Sequence, residues 1–436
     1  MIGSNELGFL IRSAFQTHSN TEALMSKESI TIRQAREIIL AAAPKAVRSQ
    51  CVALDQALGR IAAEPVRSAC PLPNYTNSAM DGYAFAFGDL PESPTVVLPL
   101  VGHSFAGAPC TQTEFAAGCA IEITTGAALP EAFDTVIPYE DCTIDEARGT
   151  VSFEVSRIKS GANVRRIGEQ IACGAPIVEQ GERVSTRHIA LMAAAGVSQV
   201  TVFERVRAAV IATGSELVDP GRPLGRYQIY NSNALMLKSV LEAAGCVVQV
   251  CSTLDEAQTI ADRIADAVRD NDIVLLSGGA GNGRYDLSQA QLESMGRMEP
   301  WSINMRPGRP MRFGQIDGKP VFVLPGNPVA AFVTCLEFVF PALGRMQGAA
   351  DGPLPTSREA ILGCDVRKKS GRAEFMRARI DGTEQGLPVV EPVQSQSSAD
   401  LIMLAQADVI LCLDHEPAQY AKGERVSVQF LSEAGL

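Results

Sequence analysis

VRAAVIATGSEL (206–217), NDIVLLSGGAGNG (271–283) and PVFVLPGNPVAAF (320–332) share one pattern: a short apolar run that ends in a turn rich in glycine or proline. An apolar run without alternation suits a strand buried on both faces, and such strands belong to parallel sheets covered by helices. The residues between the three segments agree. Ala234–Ala244 reads as a helix ended by Gly245, Val247–Cys251 as a strand and Asp255–Val268 as a helix. With strands at Val206–Ala212, Asp272–Leu276 and Pro320–Leu324 and a helix at Val329–Phe340, the alternation predicts an open, mainly parallel α/β sheet domain over residues 205–348.

Ligands of an open parallel sheet bind beyond the carboxyl ends of its strands, where all three turns fall. The first turn carries Thr213, Gly214 and Glu216; the second carries Ser277, Gly278, Gly279 and Gly283 and leads to Asp286; the third carries Pro325, Gly326 and Asn327. Glycines let backbone amides approach an anion, and the helix that follows the third turn adds its dipole. One such loop is ordinarily just a tight turn. Three on neighbouring strands predict a phosphate site, with Glu216 and Asp286 as the carboxylates that a Mg²⁺ bridging phosphate oxygens needs. Neither GxxxxGK[ST] nor a GxGxxG at the first strand turn occurs, so this is neither a P-loop nor a Rossmann site. Met305-Arg306-Pro307-Gly308-Arg309-Pro310 holds two arginines three apart across a Pro-Gly turn, which would offer two guanidinium forks to one anion.

Outside this block the texture changes. Thr31–Ala43 reads as a helix with Thr31 as N-cap and Ile32, Ala35, Ile38 and Ile39 on one face. Apolar runs at Thr95–Val101, Cys119–Thr124 and Thr135–Tyr139 between Gly and Pro predict a β-rich domain. Ala175–Val184, Thr186–Ala195 and Gln199–Phe203 return to a mixed pattern, expected to pack with the N-terminal helix and so make the β-rich block an insertion. Residues 350–357 form a Pro/Gly linker, and Glu374–Ile380, Val409–Leu413 and Arg425–Leu431 read as strands of a small β domain. The resulting division is an extension at 1–27, a discontinuous first domain at 28–67 and 174–204, an insertion at 68–173, the sheet domain at 205–348 and a C-terminal β-barrel at 349–436.

Composition narrows the function. A net charge of −11 over 436 residues argues against nonspecific nucleic-acid binding, so any anion must meet a local basic or backbone-amide site. Eleven cysteines in no CxxC spacing suggest reduced thiols in a cytoplasmic protein, and four scattered histidines do not suggest a metal site. The most apolar run, Val329–Leu343, contains Glu337 and Pro341, which would interrupt a membrane span.

Further motifs are PLPNYTNSAMDGYA (71–84), ITTGAALPEAFDTVI (123–137), GANVRRIGEQI (161–171) and IYNSNALML (229–237). On physics alone, Asp81-Gly82 and Thr125-Gly126 read as turns. Together with ATGSEL, LSGGAGNGRYD, MRPGRP and LPGNPVAAF, in this order, they make the chain resemble the molybdopterin molybdenumtransferase family, the bacterial MoeA type also found as the gephyrin E domain. The resemblance runs from about residue 28 to the C-terminus. It implies a sheet domain of the molybdopterin-binding type, a β-rich insertion, a C-terminal β-barrel and a homodimer whose cleft joins the sheet domain of one subunit to the insertion of the other. It implies a Mg²⁺-dependent reaction in which adenylylated molybdopterin loses AMP and receives molybdate. Glu216 and Asp286 match the family's cleft carboxylates, and Asp81 and Thr125 its cross-subunit residues. The partners it implies are the molybdopterin adenylyltransferase and cofactor-accepting enzymes, with no nucleic acid and no membrane.

The chain departs from the family pattern in places. Arg306 and Arg309 replace the usual lysines, Ser302 replaces a further lysine, the 278–283 loop lacks a serine, and Gln170 stands where an acid is usual. A non-catalytic relative that binds molybdopterin or a partner protein is therefore the alternative reading. The related adenylyltransferase, a third, fits less well because of the insertion and the C-terminal β domain.

Overall fold

The computed structural model describes residues 28–253, 257–279, 287–350 and 356–432. Two compact units emerge: Gln50–Val202, and Met1–Ser49 together with Phe203–Leu436.

The larger unit is built on a six-stranded sheet in the order Val247–Thr253, Arg207–Thr213, Ile273–Ser277, Lys319–Leu324, Arg312–Ile316, Arg297–Met298. The first four strands run parallel and the last two pairings are antiparallel. Alternate residues of each apolar run serve opposite faces. Val210, Leu275 and Phe322 enter one core, while Ile211, Leu276 and Val323 enter the other. Both faces are dry, which is why these runs show no polar alternation. Each such side chain contributes about 1.5–3 kcal/mol by leaving water.

The run in which Glu337 and Pro341 were expected to interrupt a membrane span lies in one continuous helix, Pro328–Met346, which extends the helix expected at Val329–Phe340 to Met346 and has 89% of its most apolar 18-residue window buried. A π-turn at Cys335–Val339 widens the ladder just before Pro341, where proline has no N–H to donate. By length and composition this helix could cross a membrane, but its burial makes it the central core helix.

Helix Ile32–Ala42 starts at a capping box, with Thr31 Oγ accepting from Gln34 N and Gln34 Oε1 accepting from Thr31 N. Its Ala35 and Ile39 belong to the sheet-domain core, and Arg345 Nε donates to Ala43 O at 2.8 Å. The expectation that residues 175–203 pack with this helix is corrected. Val178, Val184, Met192, Val200 and Val202 pack instead with Ala57, Ala62 and Val66 of the smaller unit. Burial of the helix's apolar face on Pro328–Met346 outweighs sequence order.

Five C-terminal strands close into a barrel. Ala373–Glu384 pairs with Leu387–Pro392, then come Ser357–Leu362, Arg425–Phe430 and Val409–Leu413, which pairs back to Ala373–Glu384. Met305–Arg306 adds in parallel to the first of them, so the arginine turn leaves the barrel's edge.

The smaller unit holds a six-stranded sheet in the order Thr135–Pro138, Gly82–Phe85, Ala120–Ile123, Thr95–Ser104, Thr150–Glu154, Cys142–Asp145. It has a separate apolar core on each face. Helix Thr186–Ala194 and the ladders Val66–Arg67 with Pro176–Val178 and Ser49–Ala53 with Gln199–Phe203 complete it.

Candidate functional site

Because Arg207–Thr213, Ile273–Ser277 and Lys319–Leu324 lie side by side, the loops after them meet. Gly278 is the meeting point. Its φ is +104°, and a Cβ there would stand 2.7 Å from Thr213 Oγ1 and 2.9 Å from Thr213 O. Only glycine fits that approach. Gly278 N donates to Leu324 O at 3.2 Å, and a Cβ on Gly326 would be 3.9 Å from Gly278 Cα. Ser277 is buried, Gly279 has φ +70°, and Pro325 is buried, while Gly326 and Asn327 are exposed. The exposed Glu216 turns back on its own loop, with its carboxylate oxygens 2.7 and 2.9 Å from where a Gly214 Cβ would be. A negative side chain therefore folds over Gly214, one residue beyond the Thr213 that Gly278 touches.

Two expectations about positive charge are corrected. The helix after the third loop has few amides left to give. Pro328 has none, Val329 N donates to Ser398 O at 3.0 Å, and Ala331 N closes on Asn327 O. Asn327 does not cap this helix with its side chain; its Nδ2 donates to Ser398 Oγ at 3.0 Å. The two guanidiniums of the arginine turn are also unequal. Both are exposed, but Arg306 Nη1 lies 3.7 Å from Oε1 of the buried Glu374, which Arg372 Nε also approaches at 3.5 Å, whereas no carboxylate among the described residues pairs with Arg309. Buried carboxylates demand compensation, so part of Arg306's charge is spent internally. Gly308 packs the turn on the core helix, since a Cβ there would be 2.4 Å from Thr334 Cγ2. Ser302 sits in the ladder Trp301–Ile303 with Glu28–Ile30.

In the smaller unit, Asp81 and Thr125 are joined: Thr125 N donates to Asp81 Oδ1 at 2.7 Å. Gly82 is not a turn residue. It begins the strand Gly82–Phe85, and a Cβ there would lie 1.9 Å from Ile137 O. Gly126, with φ +79°, does make a turn, and its N–H donates to Ser78 O at 2.8 Å. Both Asp81 and Thr125 are exposed. Beneath them Tyr139 N donates to Asp81 O, and Tyr139 Oη donates to Glu122 Oε1 at 2.8 Å. Burial first, then this bond to Glu122, pushes the Tyr139 phenol well above its ordinary value.

Gly283 and Asp286, like the Gly281 departure and the helix start expected at Asp255, lie outside the described residues. Among the described residues no group of three or more His, Cys, Asp or Glu could hold a metal ion. Mg²⁺ uses one or two carboxylates together with substrate phosphates and water, not a dedicated cage. Glu216, exposed and folded over Gly214, fits that donor set.

Two contributors carry little sequence signal. Asn233, in helix Ser232–Ala243, donates through Nδ2 to Gly326 O at 2.7 Å and Ser277 Oγ at 3.1 Å. The NSN spelling at a helix start hints only at a cap, and Asn231 is that cap. Ser398 reaches the third loop from the barrel, on a 395–400 loop held by the buried Arg377, which donates to Ser395 O, Ser397 O and Asp400 O. No local pattern marks such a contact.

An open, mainly parallel sheet whose loops meet at its carboxyl edge, joined to a closed barrel and a β-rich unit, defines a multidomain α/β protein. Family models match along nearly the whole chain: the MoeA N-terminal region (domain I and II) at 30–196, a probable molybdopterin binding domain at 209–345 and the MoeA C-terminal region (domain IV) at 359–431. A molybdopterin molybdenumtransferase of Haemophilus influenzae is 34% identical over 92% of this chain and 98% of its own. Molybdopterin molybdenumtransferase 2 of Mycobacterium tuberculosis is 32% identical over 91% and 98%. The crystal structure of the molybdopterin biosynthesis moea protein from Pyrococcus horikosii superposes with a TM-score of 0.76 at 30% identity, covering 92% of this chain and 99% of that one. The chain belongs to the molybdopterin molybdenumtransferase family.

Proposed function

We propose that this transferase of molybdenum cofactor biosynthesis inserts molybdate into adenylylated molybdopterin and releases AMP. The observation that carries the reading is the meeting of Thr213, Gly278 and Gly326 at the ends of three adjacent parallel strands, with Glu216 folded over the adjoining Gly214. Glycine-built loops there expose backbone donors suited to the phosphates of an adenylylated pterin. Glu216 and Asp286 are the residues that would hold Mg²⁺, which when bound neutralises charge on the departing phosphate. Arg309, with a smaller share from Arg306, attracts the molybdate dianion, which a chain of net charge −11 would otherwise repel. Neutral molybdopterin-side contacts then depend on the loops rather than on side-chain charge.

In this reading the protein is a cytoplasmic homodimer, and Asp81 and Thr125 of one subunit complete the cleft of the other. Its protein partners are the molybdopterin adenylyltransferase and the cofactor-accepting enzymes. A β-rich insertion at 68–173, a sheet domain at 205–348 and a barrel domain at 349–436 belong to the same proposal, with helix Ile32–Ala42 assigned to the sheet-domain core.

The test mixes purified protein with adenylylated molybdopterin, Mg²⁺ and molybdate and follows AMP release, with Asp286→Asn as the control expected to be inactive. AMP release that is unchanged in the control removes Asp286 from the mechanism. Pterin binding without any AMP release by the parent protein supports the non-catalytic alternative.

A further inference from the structure

Asn233 touches two of the three crevice loops with one amide. Its Nδ2 donates to Gly326 O in the third loop and to Ser277 Oγ at the start of the second. A backbone carbonyl can only accept, so the NH₂ must face Gly326 and the oxygen must face away. That oxygen, Oδ1, is buried, and no donor among the described residues reaches it. Both amide hydrogens are thus committed to holding loops, while the acceptor is left open among the described residues.

Asn233 is placed for this by its own helix. Asn231 Oδ1 accepts from Ala234 N at the helix start, and Asn231 Nδ2 donates to Ser252 Oγ at 3.3 Å. Ala234, Leu237 and Leu241 are buried in the sheet-domain core, so the first turn is anchored from both directions. Among the described residues the second and third loops have one direct loop bond between their backbones, Gly278 N to Leu324 O, and it is long at 3.2 Å. Holding Gly278 beside Thr213 while Gly326 stays beside Gly278 therefore calls on a further tie.

We propose that Asn233 is a positioning residue of the reaction, a clamp that sets the separation of the Ser277 and Gly326 loops. This rests on the reading that those loops hold the substrate phosphate. Once a substrate is bound, the open Oδ1 accepts from a hydroxyl or N–H that the substrate carries beside its phosphate. Asn233→Asp keeps Oδ1 as an acceptor but turns an oxygen toward the Gly326 carbonyl, so it should undo the clamp as fully as Asn233→Ala.

The full-length protein and both variants are compared by amide hydrogen exchange without ligand and by kinetics of AMP release. Exchange in segments 277–279 and 325–327 should quicken at least tenfold in both variants, with strand Arg207–Thr213 unchanged. KM for adenylylated molybdopterin should rise, and kcat/KM should fall at least tenfold, with the thermal midpoint little altered. Unchanged exchange in both loops overturns the clamp whether or not the protein releases AMP. Faster exchange with unaltered kinetics overturns the positioning role. A parent protein that releases no AMP refutes the proposed reaction, and the exchange measurement still decides the clamp. Should Asn233→Ala fail to fold, Asn233→Ser, which keeps one donor, must show an intermediate exchange rate or the clamp is wrong.

Discussion

Two glycines and two arginines show how much a single position can decide. Gly82 stands where a β-carbon would lie 1.9 Å from Ile137 O, so Gly82→Ala must push adjacent strands apart. Overpacking of this kind costs about 3 kcal/mol or more when backbone has to move. Urea unfolding should register that loss, and an alanine variant of parental stability would show that the strands yield easily. Gly278 has the same constraint in the crevice, against Thr213 Oγ1. The arginines make a functional prediction. Arg306 lies beside the buried Glu374 and no carboxylate among the described residues pairs with Arg309, so molybdate should depend more on the second. Arg309→Ala should raise the molybdate concentration for half-maximal insertion roughly tenfold, matching one charge-assisted contact of about 1.5 kcal/mol. Arg306→Ala should raise it less. Equal dependence in both variants and the parent, measured by titration, would move the oxyanion site elsewhere.

The helix Pro328–Met346 carries the clearest prediction at the next scale. Glu337 lies within it, fully buried, paired with Arg36 and accepting from Gln429 Nε2 at 2.7 Å. Burial outweighs the lowering influence of Arg36 and Gln429, so its carboxyl is held above the usual range. The folded state therefore binds this proton more tightly than the unfolded chain, where a glutamate titrates near ~4.3. Stability from this group is fully present below that pH and is lost as pH rises through the folded value. Glu337→Gln removes the titration while keeping the shape. The variant should therefore gain on the parent as pH rises from about 4 toward 8. Denaturant unfolding across that range reads the difference. A difference that stays flat would mean Glu337 ionises as readily inside the fold as outside.

For the whole molecule, the decisive question is whether one chain's cleft is complete. Asp81 and Thr125 lie in the Gln50–Val202 unit, and Glu216 and the crevice in the other. In the proposed homodimer each cleft takes both sets from different subunits, so two equivalent sites exist per dimer. Asp81→Ala and Asp286→Ala subunits, each inactive alone, should then regain partial AMP release when mixed. In a mixed dimer one cleft keeps both carboxylates. No recovery, with mixed dimers verified by mass, would place both residues in a single subunit's site.

The apolar runs at 206–212, 272–276 and 320–324 were readable because a strand buried on both faces has no polar alternation, and that property is local. The Thr31 cap and the positive-φ glycines Gly214 and Gly278 were readable for the same reason, since caps and left-handed turns restrict residue type at single positions. Asp81-Gly82 was misleading: the glycine answers to Ile137 across the sheet, not to a turn. Helix Ile32–Ala42 likewise joined a core more than 160 residues away, past the segment it was expected to meet. Asn233 on Gly326, Ser398 on Asn327 and Glu374 beside Arg306 join residues 93, 71 and 68 positions apart. The sequence by itself determined which segments become strands, helices and turns, because backbone preference and burial periodicity act over a few residues. Which loops meet, which amides remain free and which charges are already spent were decided only by tertiary structure, because those depend on distances that the open sheet and the closed barrel impose.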